Sequence, residues 1–263
     1  MNHVVSTYES YREEDRLTTN NARKIEFITT TRIFDKLFEQ KLKILDCAAG
    51  TGAYAFYLAD RGHEIVATDI TPRHINYINE QLKTKTYKMV TSILDAIDMS
   101  KFENESFDVV LNMGPFYHLV DDVRRKKCLS ECLRVLKKGG ILVTAYIPKY
   151  YVFQYMALSN PLYLDSTLAT QIINTGELRH DDEKCFWTDT YYASFDEMEA
   201  LYTENHLKII DHVAQDGIAP LLHEKVDKWT KEELSIWFDY HYSTCREKST
   251  LGTSNHVIII GRK

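Results

Sequence analysis

The chain has 263 residues, 44% hydrophobic and 27% charged, which suits one large soluble domain or one domain with a substantial insertion. A formal net charge of −6 and a pI near 5.9 argue against a general nucleic-acid binder, and no stretch approaches the roughly 18 apolar residues that span a bilayer. Five cysteines without a C-x-x-C pair read as reduced thiols, with no ligand spacing for zinc, so no metal is expected. The start, Met1-Asn2-His3-Val4-Val5-Ser6, lacks the basic and apolar run of a signal peptide, and a cytoplasmic location is the expectation.

Residues 1–40 begin with the polar run Tyr8-Glu9-Ser10-Tyr11-Arg12-Glu13-Glu14-Asp15-Arg16. From about Thr18, Ile25, Ile28, Ile33, Phe34, Leu37 and Phe38 recur at helical spacing. This N-terminal helical segment either covers the sheet edge or closes over a ligand as a lid. A strand at Lys43–Asp46 then enters the turn Cys47-Ala48-Ala49-Gly50-Thr51-Gly52, and a helix begins near Ala53. Gly50 and Gly52 let backbone amides approach a ligand, since no Cβ intervenes. A second strand covers Glu64–Asp69, and Asp69 falls 17 positions after Gly52, where a nucleoside site places a carboxylate for ribose hydroxyls. Thr71-Pro72 starts the next helix.

A third strand runs from Tyr87 to Ile93, ahead of Leu94-Asp95-Ala96, and a fourth from Phe107 to Gly114, ahead of Pro115-Phe116-Tyr117-His118. Helix is predicted over Val123–Leu136, broken by Gly139-Gly140, and a fifth strand over Ile141–Tyr146. Strands alternating with helices signal a parallel sheet. Residues 148–200 are dense in aromatics, from Tyr150 to Tyr192, with a helix over Thr167–Thr175 and a polar loop over Gly176–Lys184. This insertion after the fifth strand is read as a cap whose aromatics either wall a pocket or form its own core. Helix over Phe195–Leu201, a strand over Leu207–Val213, a long helix over Trp229–Arg246 and a strand over Asn255–Gly261 complete the chain.

The glycine turn lacks the third glycine of a dinucleotide fingerprint and the lysine of a P-loop. Asp46, just before it, would repel a pyrophosphate and suits a ligand bearing a cation, such as a sulfonium with its α-amino group. Here the sequence resembles the class I S-adenosylmethionine-dependent methyltransferases, over about Lys43 to Tyr146. Asp46-Cys47-Ala48-Ala49-Gly50-Thr51-Gly52 is similar to the family's D-x-G-x-G-x-G, with Ala48 at the first glycine, a change tolerated where φ is negative. Asp69 matches the acid that holds the ribose hydroxyls, with Ile70 beside the adenine, and Asp95-Ala96 match the pair at the adenine amino group and ring. Asn112-Met113-Gly114 resembles the end of the fourth motif, which lines the methionine moiety. Arg134-Val135-Leu136-Lys137-Lys138-Gly139-Gly140 resembles R-x-L-K-P-G-G. Gly114-Pro115-Phe116-Tyr117-His118-Leu119 resembles a bacterial subgroup with a G-P-L-Y-H-L signature, which Glu14-Asp15-Arg16-Leu17 also fits.

The resemblance implies one domain over 1–263, an α/β fold with a Rossmann-like, seven-stranded, mostly parallel sheet, helices on both faces and the last strand antiparallel. It implies S-adenosyl-L-methionine as cofactor and an in-line methyl transfer to an O, N or S atom of a small molecule. Positioning and desolvation do most of that work, and a general base is needed only if the acceptor must lose a proton. His118, at the cleft mouth with a pKa near 7, is the first candidate base, followed by Tyr117 and Tyr146. Arg16 is placed against the cofactor carboxylate if the N-terminal segment folds over. His223, His241 and His256 have no partner at ligand spacing and read as structural. An RNA or protein methyltransferase is the alternative, disfavoured because Asn112-Met113-Gly114-Pro115 stands where an N-P-P-Y-type tetrad would serve base amines. A non-catalytic cofactor-binding protein is a further alternative. No membrane partner is expected, nucleic acid is not favoured, and the chain is expected to be a monomer or homodimer.

Overall fold

A computed structural model describes residues 3–263. The centre is a sheet whose first strand, β1 (Lys43–Cys47), pairs in parallel with β2 (Glu64–Asp69) on one side and β4 (Phe107–Asn112) on the other. β2 carries β3 (Met89–Ile93) at one edge, and β4 carries β5 (Leu136–Pro148). The chain therefore winds outward from β1 and then returns to its other side, which makes the β1/β4 boundary the place where strand order reverses and a ligand crevice opens. Ile44 and Leu45 are fully buried between two helical layers, and each such side chain contributes roughly 1.5–3 kcal/mol of burial.

The register positions the crevice. Cys47 stands beside Thr68 and Asp69 beside Ile93, so β1, β2 and β3 end almost flush. Their last residues deliver Asp46, Asp69 and, two residues past β3, Asp95 to one rim. Between β1 and β2 lies α3 (Ala53–Asp60), between β2 and β3 lies α4 (Pro72–Leu82), and between β4 and β5 lie α5 (Pro115–His118) and α6 (Asp122–Val135).

The described residues form nine strands in place of the seven expected. Seven make the anticipated mostly parallel sheet, in which β9 (Val257–Arg262) runs antiparallel to both β5 and β8 (Lys208–Ala214). The two additional strands, β6 (Glu177–Leu178) and β7 (Thr190–Ala193), lie in the insertion, β6 within the span read as a polar loop and β7 beyond it, where the sequence reading has no strand. They arise because β5 is long: residues 141–146 pair with β9, while Ile147 and Pro148 pair with β7. Gly139 and Gly140 belong to β5 and do not end α6, which stops at Val135.

The insertion contributes α7 (Lys149–Ser159) and α8 (Ser166–Thr175). These close a separate small core of Val152, Met156, Leu168, Ile172, Leu178 and Tyr192, with Phe153, Tyr163 and Phe186 packed against it. At the other end of the chain, α1 (His3–Ser10) is a helix that the polar pattern did not predict, and α2 (Asn21–Leu37) starts where the Asn20 side chain accepts from the Arg23 amide. No helix is long and apolar enough to cross a membrane among the described residues.

Candidate active site

A cleft opens at the strand ends and is roofed by α1 and the turn that follows it. Asp46, Ala48, Gly50, Asp69, Ile70, Asp95, Ala96 and Gly114 all line it, and Arg16, Tyr117 and His118 face them. Gly52 and Asn112 do not. Gly52, at φ +86°, caps α3, and a Cβ there would lie 3.1 Å from Ile78 and Phe56, so this glycine lets the turn pack from behind. Asn112 is fully buried, and its side chain points into the α6 face, where Oδ1 accepts from Cys128 Sγ at 3.9 Å.

The turn is built from backbone hydrogen bonds. The amides of Ala48 and Ala49 both donate to Thr68 O at 2.8 Å. Gly50 N donates to Asp69 Oδ2 at 2.9 Å, and Thr71 N to Asp69 Oδ1 at 2.8 Å, which fixes the carboxylate across the turn. Ala48 itself has φ +77°, against the expectation of a negative φ. An alanine Cβ in this left-handed region crowds the following carbonyl and costs roughly 1–2 kcal/mol.

Asp46 is 2% exposed, and its Oδ2 is buried without a hydrogen-bond partner. Burial, aided by the nearby Asp69 charge, pushes its pKa up to about 7. A carboxylate in this state is stabilised by a ligand cation, and the donor set around it offers none from the protein. Asp95 is differently placed: its Oδ1 accepts from the Ile97 amide at 3.2 Å and its Oδ2 pairs with Arg124 at 3.4 Å.

The roof joins distant parts of the chain. Tyr8 in α1 donates its hydroxyl to His118 Nε2 at 2.9 Å, and His118 Nδ1 lies 3.1 Å from the backbone oxygen of Asp189. A carbonyl only accepts, so the proton sits on Nδ1 and the Nε2 lone pair is taken by Tyr8. Burial holds the His118 pKa down at about 4, against the opposing pull of Asp189 and Asp69. This corrects the expected value near 7: the imidazole is neutral and both nitrogens are engaged. Tyr117 donates to Met113 O at 3.2 Å, and burial pushes its phenol up. Tyr146 lies in the core, hydrogen-bonded to His212 at 2.9 Å, and does not reach the cleft.

Arg16 lies on the cleft wall, gripped by Glu13 at 2.7 Å and Glu26 at 2.9 Å. Glu26 in turn lies 3.4 Å from His256, which is 3.2 Å from Asp216. Burial opposes charge on His256, yet the two carboxylates prevail and raise its pKa, while Asp216, also buried, is held low by His256. The three side chains are also close enough to share an ion, but Arg16 already occupies the Glu26 oxygen nearest His256. His256 is therefore part of an ion-pair chain, with Glu26 and Asp216 as partners that sequence spacing does not reveal.

The sequence reading passed over Tyr8 as a hydrogen-bond partner, and over Glu13, His74, Arg124, Arg179 and Asp189, all on the cleft wall. Only the Tyr/Arg density of residues 8–16 signalled any of them. From the insertion, Arg179 and Asp189 line the cleft, whereas its aromatics do not.

Residues 45–144 match a family model described as a methyltransferase domain. Over 101 residues the chain is 31% identical to a glycine/sarcosine N-methyltransferase of Parasynechococcus marenigrum, covering 38% of this chain and 36% of that protein. A ubiquinone biosynthesis O-methyltransferase of Roseobacter denitrificans is 31% identical over 118 residues, 42% of this chain and 44% of that protein. The chain thus matches less than half the length of these curated relatives. A solved SAM-dependent methyltransferase of Methanosarcina mazei superposes with TM-score 0.58 at 19% identity, over 88% of this chain and 96% of that one. The Burkholderia thailandensis 1,6-didemethyltoxoflavin-N1-methyltransferase, solved with bound 1,6-didemethyltoxoflavin and S-adenosylhomocysteine, gives TM-score 0.56 at 14% identity, over 99% of this chain and 85% of that one. The likeness to these structures shows a Rossmann-like α/β fold, and residues 45–144 are the stretch that is similar to the methyltransferase domain.

Proposed function

We propose that the chain is a methyltransferase that uses S-adenosyl-L-methionine to methylate an O, N or S atom of a small molecule. The observation that carries this is Asp46: a buried carboxylate with an unpartnered oxygen, at the strand-order reversal, beside a turn of approachable amides. In this reading Asp46 and the amides about Ala48 and Gly50 hold the amino-acid end of the cofactor, and Arg16 faces its carboxylate. Asp69 and Ile70 hold the ribose and adenine face, with Asp95 and Ala96 at the adenine edge. Gly114, beside Ala48 on the cleft wall, marks the acceptor side of the site. When bound, the cofactor supplies an activated methyl group on a sulfonium.

The chain's own residues bind, align and exclude water, which is sufficient for an in-line displacement. His118 is engaged through both nitrogens, so its role is to position Tyr8 and the roof. Residues 1–40 act as the lid and 148–200 as the cap that brings Arg179 and Asp189 to the mouth. Gly114–Leu119 and Glu14–Leu17 support membership of the bacterial subgroup with the G-P-L-Y-H-L signature. A cytoplasmic monomer or homodimer with no membrane or nucleic-acid partner completes the reading.

The test is incubation with methyl-labelled S-adenosylmethionine and, separately, small-molecule, RNA and protein fractions of a cell extract. Label is expected in the small-molecule fraction, with S-adenosylhomocysteine as co-product. Label in RNA or protein alone would replace the acceptor class, and cofactor binding without turnover would leave a binding protein.

A further inference from the structure

Every arginine on the wall of the cleft is already answered by a carboxylate of the chain. Arg16 is held by Glu13 and Glu26, Arg124 lies 3.4 Å from Asp95, and Arg179 lies 3.0 Å from Glu177. No lysine lines the cleft among the described residues, while six carboxylates do: Glu13, Asp46, Asp69, Asp95, Asp121 and Asp189. Backbone amides answer Asp69 and Asp121, and His180 answers Asp189. His74, the other histidine on the wall, lies 3.3 Å from Asp69. Carboxylates outnumber arginines on this wall, and in a crevice with low-dielectric sides that imbalance repels anions and favours cations.

The acceptor side, beyond Gly114, has a different character. Tyr8, Tyr117 and His118 carry no charge there, and their rings meet edge to face, at 5.4 Å for Tyr8–His118 and 4.7 Å for Tyr117–His118. Ring faces and edges so arranged receive planar rings and cations. A carboxylate entering this compartment would find no uncommitted cation and would stay buried without a partner.

We infer, resting on the methyltransferase reading above, that the acceptor is a planar aromatic or heteroaromatic molecule that is neutral or cationic, and that molecules presenting a carboxylate are excluded. The charge of the whole wall makes Glu177 a specificity determinant: by holding Arg179 it withholds one of the wall's three arginines.

The experiment is a saturation-transfer NMR titration of the full chain with three indoles of similar size: tryptamine, tryptophol and indole-3-acetate. The protein is first titrated with S-adenosylhomocysteine by calorimetry and kept saturated with it. Tryptamine and tryptophol are expected to bind at least tenfold more tightly than indole-3-acetate, and indole-3-acetate to gain about fivefold in Glu177→Gln. Indole-3-acetate binding as tightly as tryptamine would overturn the inference. So would the failure of all three to bind, while intact S-adenosylhomocysteine binding would keep the methyltransferase reading standing. A folded chain that takes no S-adenosylhomocysteine loses that reading, and this inference with it.

Discussion

The two walls of the cleft are made in different ways. The strand-end wall comes from one run of chain, with Asp46, Asp69 and Asp95 delivered in order by β1, β2 and β3 and held by backbone geometry. The roof is assembled from residues far apart in sequence: Tyr8 meets His118 across 110 positions, and His118 meets Asp189 across 71. The strand-end wall is set by topology and repeats wherever that topology occurs. The roof is set by side chains that the topology does not specify.

The comparison is broken most sharply at Asp69. Asp69→Ala removes the carboxylate and leaves the Gly50 and Thr71 amides without their acceptor. Cofactor binding, followed by calorimetry, should weaken by roughly 1.5–3 kcal/mol, the scale of lost charge-assisted hydrogen bonds. Unchanged affinity would remove Asp69 from the site.

Asp46→Asn probes the same wall through stability. With its pKa raised from 3.8 to about 7, the folded state holds a proton that the unfolded chain has already released. Stability of the ligand-free protein should therefore fall as pH rises from about 4 through about 7. A rise of that size corresponds to about 4 kcal/mol, and the buried amide of Asn cancels about half of it. Asp46→Asn should thus be more stable than the parent at pH 8 by on the order of 2 kcal/mol in urea melts, with the advantage gone at pH 4. An equal advantage at both pH values would show that ionisation is not its cause.

Ala48→Gly sharpens the contrast between a backbone path and its occupant. It relieves the left-handed strain at φ +77° and should stabilise the protein by about 1 kcal/mol after the added freedom of the unfolded chain is counted. A loss of stability in urea melts would mean the turn is not strained there. On the roof, Tyr8→Phe deletes one hydrogen bond and should cost roughly 0.5–1.5 kcal/mol, read as faster hydrogen exchange in residues 3–16 and not in the sheet. Uniform exchange across the chain would deny the roof its separate character.

The sequence displayed what depends on order and lost what depends on meeting. The alternation of apolar runs and glycines made the parallel sheet and its three acidic strand ends legible, since strand and turn chemistry are local. A motif does not say which face a residue takes: the Asn112 side chain points to α6, and a Cβ at Gly52 would meet Ile78 and Phe56, so neither lines the cleft. His118 was legible as a residue at the cleft but not as a neutral one, because its pKa depends on burial beneath Tyr8 and Asp189. β6 and β7 were hidden because two- and four-residue strands form only where the end of β5 offers an edge. The aromatics of 148–200 left pocket wall and separate core both open, and Phe153, Tyr163, Phe186 and Tyr192 serve the insertion's own small core.

The central claim is that the strand-end carboxylates hold a sulfonium cofactor, and calorimetry on the parent and Asp46→Asn, each with S-adenosylmethionine and S-adenosylhomocysteine, tests it most directly. The parent should bind both ligands in the micromolar range, and Asp46→Asn should bind each at least tenfold more weakly. No binding of either ligand to folded, cofactor-free parent protein, or equal binding by the two proteins, would contradict the account.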